Sequence, residues 1–301
     1  MALERADYFF TGCLLAVALR NFVKLFVTGP SGFIGTAFCS CARLAGHQVA
    51  GLERPFRLVT PPWEEIRRFA PDACIHTAWI TKPGEYLDSP LNAEYGRWSI
   101  DFINEMKEMG TRHFVVLGTC IEYAPDNWKL CEGQSLIAPR SPYSIAKNTL
   151  RIVLEKELQA AGFTFAWARL FYPYGPGEHS LRLSSSIVRQ LRHDQEVVLK
   201  TPGSVRDYIH IDDVARALLA VTERRFSGPI NIGTGEGFAI RDIANTIAGI
   251  LKKPGLVREA LPQQPDEYPC IVADVQKLAG LAWRPHHTLA SGLQTLLDSM
   301  P

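Results

Sequence analysis

The apolar run Val23-Lys-Leu-Phe-Val-Thr28 passes directly into Gly29-Pro-Ser-Gly32-Phe-Ile-Gly35, and a helical pattern then continues to Ala45. Few folds accommodate a strand, a glycine turn and a helix in so short a space. Glycines at 29, 32 and 35, with Ser31, Phe33 and Ile34 between them, permit a tight turn and a close approach of backbone to a ligand. The free N–H groups of the helix start can then hold a pyrophosphate. Three glycines alone would mean no more than a turn; placed between strand and helix, the spacing points to dinucleotide binding.

The segments that follow extend this unit. Gln48-Val-Ala-Gly-Leu-Glu53 reads as a second strand ending in an acid, where a dinucleotide fold places the carboxylate that holds the adenosine ribose. Glu53 favours NAD, whereas Arg54 and Arg57 beside it could receive a 2′-phosphate and keep NADP open. Pro61-Pro62 opens a short helix over residues 63–70, and Ala73-Cys-Ile-His-Thr77 reads as a buried strand. A long helix over 91–110 carries Asn92 at its start, and Arg112-His-Phe-Val-Val-Leu-Gly118 is a further strand with Thr119 at its end. This alternation predicts an α/β chain with a Rossmann-type doubly wound parallel sheet. His76 and Ala78 would lie at its carboxyl edge, where ligands bind.

Arg140-Ser-Pro-Tyr-Ser-Ile-Ala-Lys147 places a phenol and an ammonium four residues apart, on one helical face. A free phenol titrates at about 10, and a fixed positive charge nearby favours the phenolate. On this basis Tyr143 is expected to act as a proton acceptor for an alcohol, with its pKa lowered by Lys147.

Composition narrows the partner. Lys and Arg number 32 against 31 Asp and Glu, so no basic field indicates nucleic acid and a small molecule is expected instead. The seven cysteines are odd in number and show no C-x-x-C spacing that would suggest zinc, as in a reducing cytoplasm. Tyr8-Phe-Phe-Thr-Gly-Cys-Leu-Leu-Ala-Val-Ala-Leu19 resembles a signal-peptide core, but it lacks a positive n-region and is too short to span a bilayer. The reading is a cytoplasmic protein, not a membrane protein, with residues 1–22 as an extension. Residues 23–170 would form the dinucleotide-binding domain, and 171–301 a mostly substrate-binding domain interleaved with the sheet.

Gly29-x-x-Gly32-Phe-Ile-Gly35, His76-x-Ala78, Thr119 four residues before Tyr123, and Pro142-Tyr143-x-x-x-Lys147 together resemble the extended short-chain dehydrogenases. The closer resemblance is to the NAD-dependent epimerase/dehydratase branch, which acts on nucleotide sugars. Arg206-Asp-Tyr-Ile-His-Ile-Asp-Asp213 is similar to a further segment of that family. The resemblance implies that Thr119 bonds the sugar oxygen, Tyr143 exchanges its proton and Lys147 holds the nicotinamide ribose. It also implies that Arg206 binds a diphosphate, that Asn92, Tyr172, Arg182 and Gln263 contact substrate, and that the chain forms a homodimer through the helices near Leu91 and Tyr143. Tyr172 stands where many members have Asn, and Gln263 where many have Arg.

The 4,6-dehydratases of this family carry Asp-Glu after the active-site Thr; here Cys120 and Ile121 occupy those places. Glu122 follows one residue later and, were the strand to continue, would point to the other side. The expected activity is reduction of an NDP-4-keto-6-deoxyhexose. The alternatives are an NAD-dependent nucleotide-sugar 4-epimerase and a non-catalytic cofactor sensor.

Overall fold

The structure is a computed structural model and describes residues 23–52, 58–125, 129–260 and 266–301. The extension 1–22, Glu53, Arg54, Arg57 and Gln263 lie outside the described residues.

Six strands form one parallel sheet: β1 (Lys24–Thr28), β2 (Gln48–Leu52), β3 (Ala73–His76), β4 (His113–Thr119), β5 (Thr164–Leu170) and β10 (Gly228–Ile232). Their order is β10-β5-β4-β3-β1-β2. The strands are apolar along nearly their whole length because both sheet faces are covered by helices. On one face lie α1 (Phe33–Leu44) and α6 (Ile211–Glu223), which bury Phe38, Ala42, Val214 and Leu218. On the other lie α3 (Leu91–Glu108) and α4 (Pro142–Ala160), with Phe102, Ile103, Met106, Leu150, Leu154 and Leu158 fully buried. Each such side chain contributes about 1.5–3 kcal/mol on burial. The short α2 (Trp63–Phe69) ends at Ala70 in a left-handed conformation.

After β1 the chain moves outward to β2 and then crosses back to β3 on the opposite side. The switch point between β1 and β3 opens a crevice at the carboxyl ends of the strands, where doubly wound sheets bind ligands.

The remaining elements build a second layer above that edge. They are β6 (Tyr172–Tyr174), α5 (Leu183–Arg192), β7 (Val197–Leu199), β8 (Val205–Arg206), β9 (Tyr208–His210), β11 (Phe238–Ala239), α7 (Ile240–Ile250), β12 (Val257–Glu259), β13 (Cys270–Ile271), α8 (Gln276–Gly280), which instead buries Leu278 in the sheet core beside β10, and α9 (Leu289–Ser299). Ile187, Leu191, Ile243, Ile247, Leu293 and Leu296 form its own core. Asp207, fully buried between β8 and β9, accepts hydrogen bonds from the N–H groups of Thr234, Gly235 and Ala273 and so joins three loops of this layer.

Candidate active site

At the end of β1 the backbone turns through Gly29 in the left-handed region, φ +67°. A Cβ at Gly29 would stand 3.1 Å from the Ala78 Cα, and one at Gly35 only 2.0 Å from the Gly29 carbonyl oxygen. These two glycines are therefore dictated by close backbone approach rather than by flexibility. Thr36 is the first residue of α1 whose N–H finds a helical acceptor, the Gly32 oxygen at 2.9 Å. The preceding N–H groups of Phe33, Ile34 and Gly35 have no intrahelical partner and suit an anion. Ser31, Gly32 and Phe33 line a cavity of about 540 Å³ whose far wall includes Gly177, Asp212 and Arg216. Ile34 turns the other way, into the central cleft.

His76 does not face either space, which corrects the expectation of a direct cofactor contact. It is fully buried. The Thr28 hydroxyl accepts from the N–H groups of Thr77 and Ala78, both at 3.1 Å, and donates to His76 Nδ1 at 2.9 Å. His76 Nε2–H donates to Ser99 Oγ at 2.8 Å, and that hydroxyl donates onward to the Tyr95 carbonyl at 2.6 Å. Burial, reinforced by the Lys147 charge, brings the His76 pKa down to about 3 and keeps the ring neutral. His76 and Ala78 thus shape the floor of the switch point from below.

Ser141 caps α4, with its hydroxyl accepting from Ser144 N–H at 3.2 Å and Pro142 at the first helical position. This fixes Tyr143 and Lys147 one turn apart against the end of β4. Thr119, Tyr143 and Lys147 all line one cleft, together with Trp79, Tyr86 and Cys120. Lys147 Nζ donates to the Leu117 carbonyl at 2.9 Å and stands 3.8 Å from the centroid of the Trp79 ring. Burial lowers its pKa to about 7, opposed by the Glu122 carboxylate.

The expected lowering of the Tyr143 pKa does not occur. Burial pushes it up, helped by Tyr86 and by Glu122 and Cys120, while its hydrogen bond with Thr119 pulls the other way. The Lys147 charge is spent on a carbonyl and an aromatic face, so the phenol is held in its protonated form. Cys120 is likewise a neutral thiol, pushed by burial up to about 12.

Residues Cys120–Glu122 form a 3-10 turn, not a continuation of the strand. The turn carries the Glu122 side chain back beneath β4, fully buried and away from the cleft. It accepts from Thr119 N–H at 2.8 Å, from Trp167 Nε1–H and from Arg169 Nε–H at 2.8 Å. Glu122 is therefore committed to a buried ion pair.

Tyr172 and Arg182 line the central cleft and continue into an adjoining cavity of about 300 Å³ that also holds Arg206 and Tyr208. The Arg206 guanidinium lies 5.4 Å from the Tyr172 ring centroid and donates to Asp266 at 2.8 Å and to the Val205 carbonyl at 3.0 Å. Among the described residues the Arg182 guanidinium donates no hydrogen bond. Asn92 corrects a second expectation: it is buried, accepts from Trp79 Nε1–H at 2.8 Å and donates to the carbonyls of Tyr86 and Ser89. Every polar atom of its amide is occupied in holding Trp79 and the 86–89 loop, so it stands behind the cleft wall.

Tyr86 was not singled out by the sequence. Its ring meets Tyr143 edge-on at 5.0 Å and it borders both cavities. The available signal was an aromatic residue in a Pro-Gly-rich loop, a place where side chains more often serve ligands than a core.

The family model described as NAD dependent epimerase/dehydratase family matches residues 25–233. The chain is similar to CDP-abequose synthase of Salmonella typhimurium, at 24% identity over 91% of this chain and 97% of that protein. It is also similar to UDP-glucose 4-epimerase of Rhizobium meliloti, at 25% identity over 76% of each. Its fold is that of UDP-glucose 4-epimerase of Thermus thermophilus, solved in complex with NAD, with a TM-score of 0.75 and 23% identity over 92% of this chain and 98% of that one.

Proposed function

The chain belongs to the NAD dependent epimerase/dehydratase family, and from that membership we propose that it is an NAD(P)-dependent enzyme reducing C4 of a nucleotide-linked 4-keto-6-deoxyhexose. The observation that carries this reading is the acid–base content of the cleft. Among the described residues no carboxylate lines the central cleft, Glu178 lying in the adjoining cavity, and the phenol beside Thr119 is kept protonated. Elimination of water calls for a carboxylate facing the sugar. Reduction of a ketone calls for a proton donor, which a phenol with a raised pKa supplies.

In this reading the Thr119 hydroxyl holds the ketone oxygen and Tyr143 delivers its proton to that oxygen as the alcohol forms. The glycine turn and the free N–H groups at the start of α1 fit a dinucleotide pyrophosphate, and Lys147 would hold a ribose hydroxyl. Bound NADH or NADPH supplies the hydride. Trp79, Tyr86 and Tyr143 enclose the reacting carbon and exclude water, while Arg182 and Arg206 are suited to the diphosphate because a guanidinium matches phosphate geometry. Remote binding of the nucleotide then orients the sugar for reaction.

A 4-epimerase is the second reading, supported by the similarity to the Rhizobium meliloti protein. It uses the same three side chains but retains its cofactor. Mass spectrometry of nucleotide released on denaturation separates the two. A protein isolated without NAD that oxidises NADH or NADPH only when an NDP-4-keto-6-deoxyhexose is added is the expected result. Retained NAD, with interconversion of C4 epimers and no net oxidation of NADH or NADPH, overturns the reductase.

Pairing of two copies through α3 and α4 is supported by exposed Leu91, Ile145 and Ile152 on those helices. Sedimentation of wild type against an I145E/I152E variant tests it, with a monomeric variant expected. Among the described residues no helix is long and apolar enough to cross a membrane.

A further inference from the structure

At the start of α6, His210 and Asp212, two residues apart, meet His287 from the entry to α9, and Asp212 also borders the cavity lined by Ser31, Gly32 and Phe33. We propose that His210, Asp212 and His287 form a binding site for a divalent transition-metal ion of the zinc class, which ties the entry of α9 to the end of β9. This inference is independent of the reaction proposed above.

The donor set is two imidazoles and one carboxylate, a mixture that suits zinc and its neighbours rather than magnesium or calcium. Asp212 Oδ2 lies 3.6 Å from His210 Nδ1 and 3.5 Å from His287 Nε2. On a tetrahedral ion with bonds of about 2.1 Å, donors stand roughly 3.4 Å apart. Two edges of that tetrahedron are thus already in place, and all three donor atoms lie within 4.8 Å of one another.

The support behind the donors is also present. His210 Nε2–H donates to the Thr295 hydroxyl at 2.9 Å, because that hydroxyl already donates to the Gly292 carbonyl at 2.8 Å. This fixes the tautomer that leaves Nδ1 with its lone pair toward Asp212. A metal-ligating histidine is held in this way by its second nitrogen. His287 is anchored through its backbone: its N–H and that of His286 donate to the buried carboxylate of Asp213, which also pairs with Arg216. Asp213 thus balances the Arg216 guanidinium beside the cluster.

His210 is buried, whereas the Asp212 side chain is 65% exposed, so an ion has a path from solvent. Binding has two local consequences. The ion replaces the long 3.3 Å bond from Asp212 N–H to His210 Nδ1. It also parts the two imidazole rings, which now lie 3.9 Å apart at 36°.

The test uses the full-length protein after chelator treatment, titrated with Zn2+ against a chromophoric chelator and separately with Co2+ followed by visible absorption. One equivalent of Zn2+ with a rise in Tm is expected, and Co2+ should show the intense ligand-field bands of a four-coordinate ion. H287A and D212N should each lose that equivalent and the Tm response. T295V, which keeps all three donors, should bind about tenfold more weakly. Far-UV circular dichroism checks that each variant is folded; were one to fail, T295V and the Co2+ spectrum of the wild type still decide. Absence of saturable binding overturns the proposal, as does an equivalent that persists in folded H287A and D212N, since the ion then sits elsewhere, as on cysteines.

Discussion

Replacing Glu122 by Gln keeps the shape of the side chain and removes its charge, and it should destabilise the protein by about 3–5 kcal/mol. In the native protein the carboxylate receives Thr119 N–H at 2.8 Å, Arg169 Nε–H at 2.8 Å and Trp167 Nε1–H at 3.0 and 3.1 Å to its two oxygens. Only donors surround it, so the amide NH2 of glutamine must face at least one of them. A lost charge-assisted hydrogen bond costs about 1.5–3 kcal/mol. The larger effect is on Arg169, whose side chain is only 3% exposed. It would lose its counter-charge and keep only neutral acceptors, the Tyr123 hydroxyl at 3.3 Å and at most the glutamine carbonyl oxygen. Breaking a buried pair from one side costs about 3–5 kcal/mol, and the two costs describe overlapping losses rather than a sum. Urea denaturation followed by tryptophan fluorescence would measure it for E122Q, R169M and the double variant. The double variant should be more stable than the summed single losses imply, by about 0.5–3 kcal/mol. A loss below about 0.5 kcal/mol for E122Q, the size of an ordinary surface change, would refute the buried pair and with it the withdrawal of Glu122 from the cleft.

Three further outcomes are expected. G35A, which sets a Cβ against the Gly29 carbonyl, should abolish detectable NADH binding in a fluorescence titration while leaving the circular dichroism spectrum unchanged; normal binding would refute the close approach. Y143F should lower kcat by about 100- to 10,000-fold with little change in nucleotide binding, and a variant retaining wild-type turnover would remove the phenol from the chemistry. Lys147 has a folded pKa of about 7, lowered from 10.5, so between these values the unfolded chain holds the extra proton. Stability of the cofactor-free protein should therefore rise with pH across that window. Urea midpoints for wild type against K147M would show this, and equal slopes would exclude the lowered pKa of Lys147.

The long periodic elements were legible because their pattern and packing agree. The helix expected over 91–110 is found as Leu91–Glu108, and the strand at Ala73 ends at His76 as its apolar run does. Strands such as Cys270–Ile271 and Val197–Leu199 escaped because two or three residues carry no alternation. The Cys120–Glu122 turn escaped for another reason: the chain leaves the strand geometry so that Glu122 can reach Arg169, a partner set by tertiary structure. His76 and Asn92 show a related limit. Sequence order places both near the crevice, but whether a polar side chain faces a ligand or a neighbour depends on hydrogen-bond partners such as Ser99 and Trp79, which sequence spacing does not encode. The same holds for Tyr143, where spacing brings an ammonium near but burial decides the protonation state.

The pairing of β10 with β5 has a bearing on how the chain is made. Residues emerge from the ribosome in order, so β5 must wait for the whole of α5, β7 to β9 and α6 before its outer neighbour is delivered. Until then its backbone presents an unpaired edge beside the apolar run Phe165 to Ala168, which the finished protein buries completely or nearly so. Bare edges of this kind recruit strands from other chains. Synthesis halted ahead of Gly228 would therefore yield a client for chaperones rather than a free-standing nucleotide-binding half.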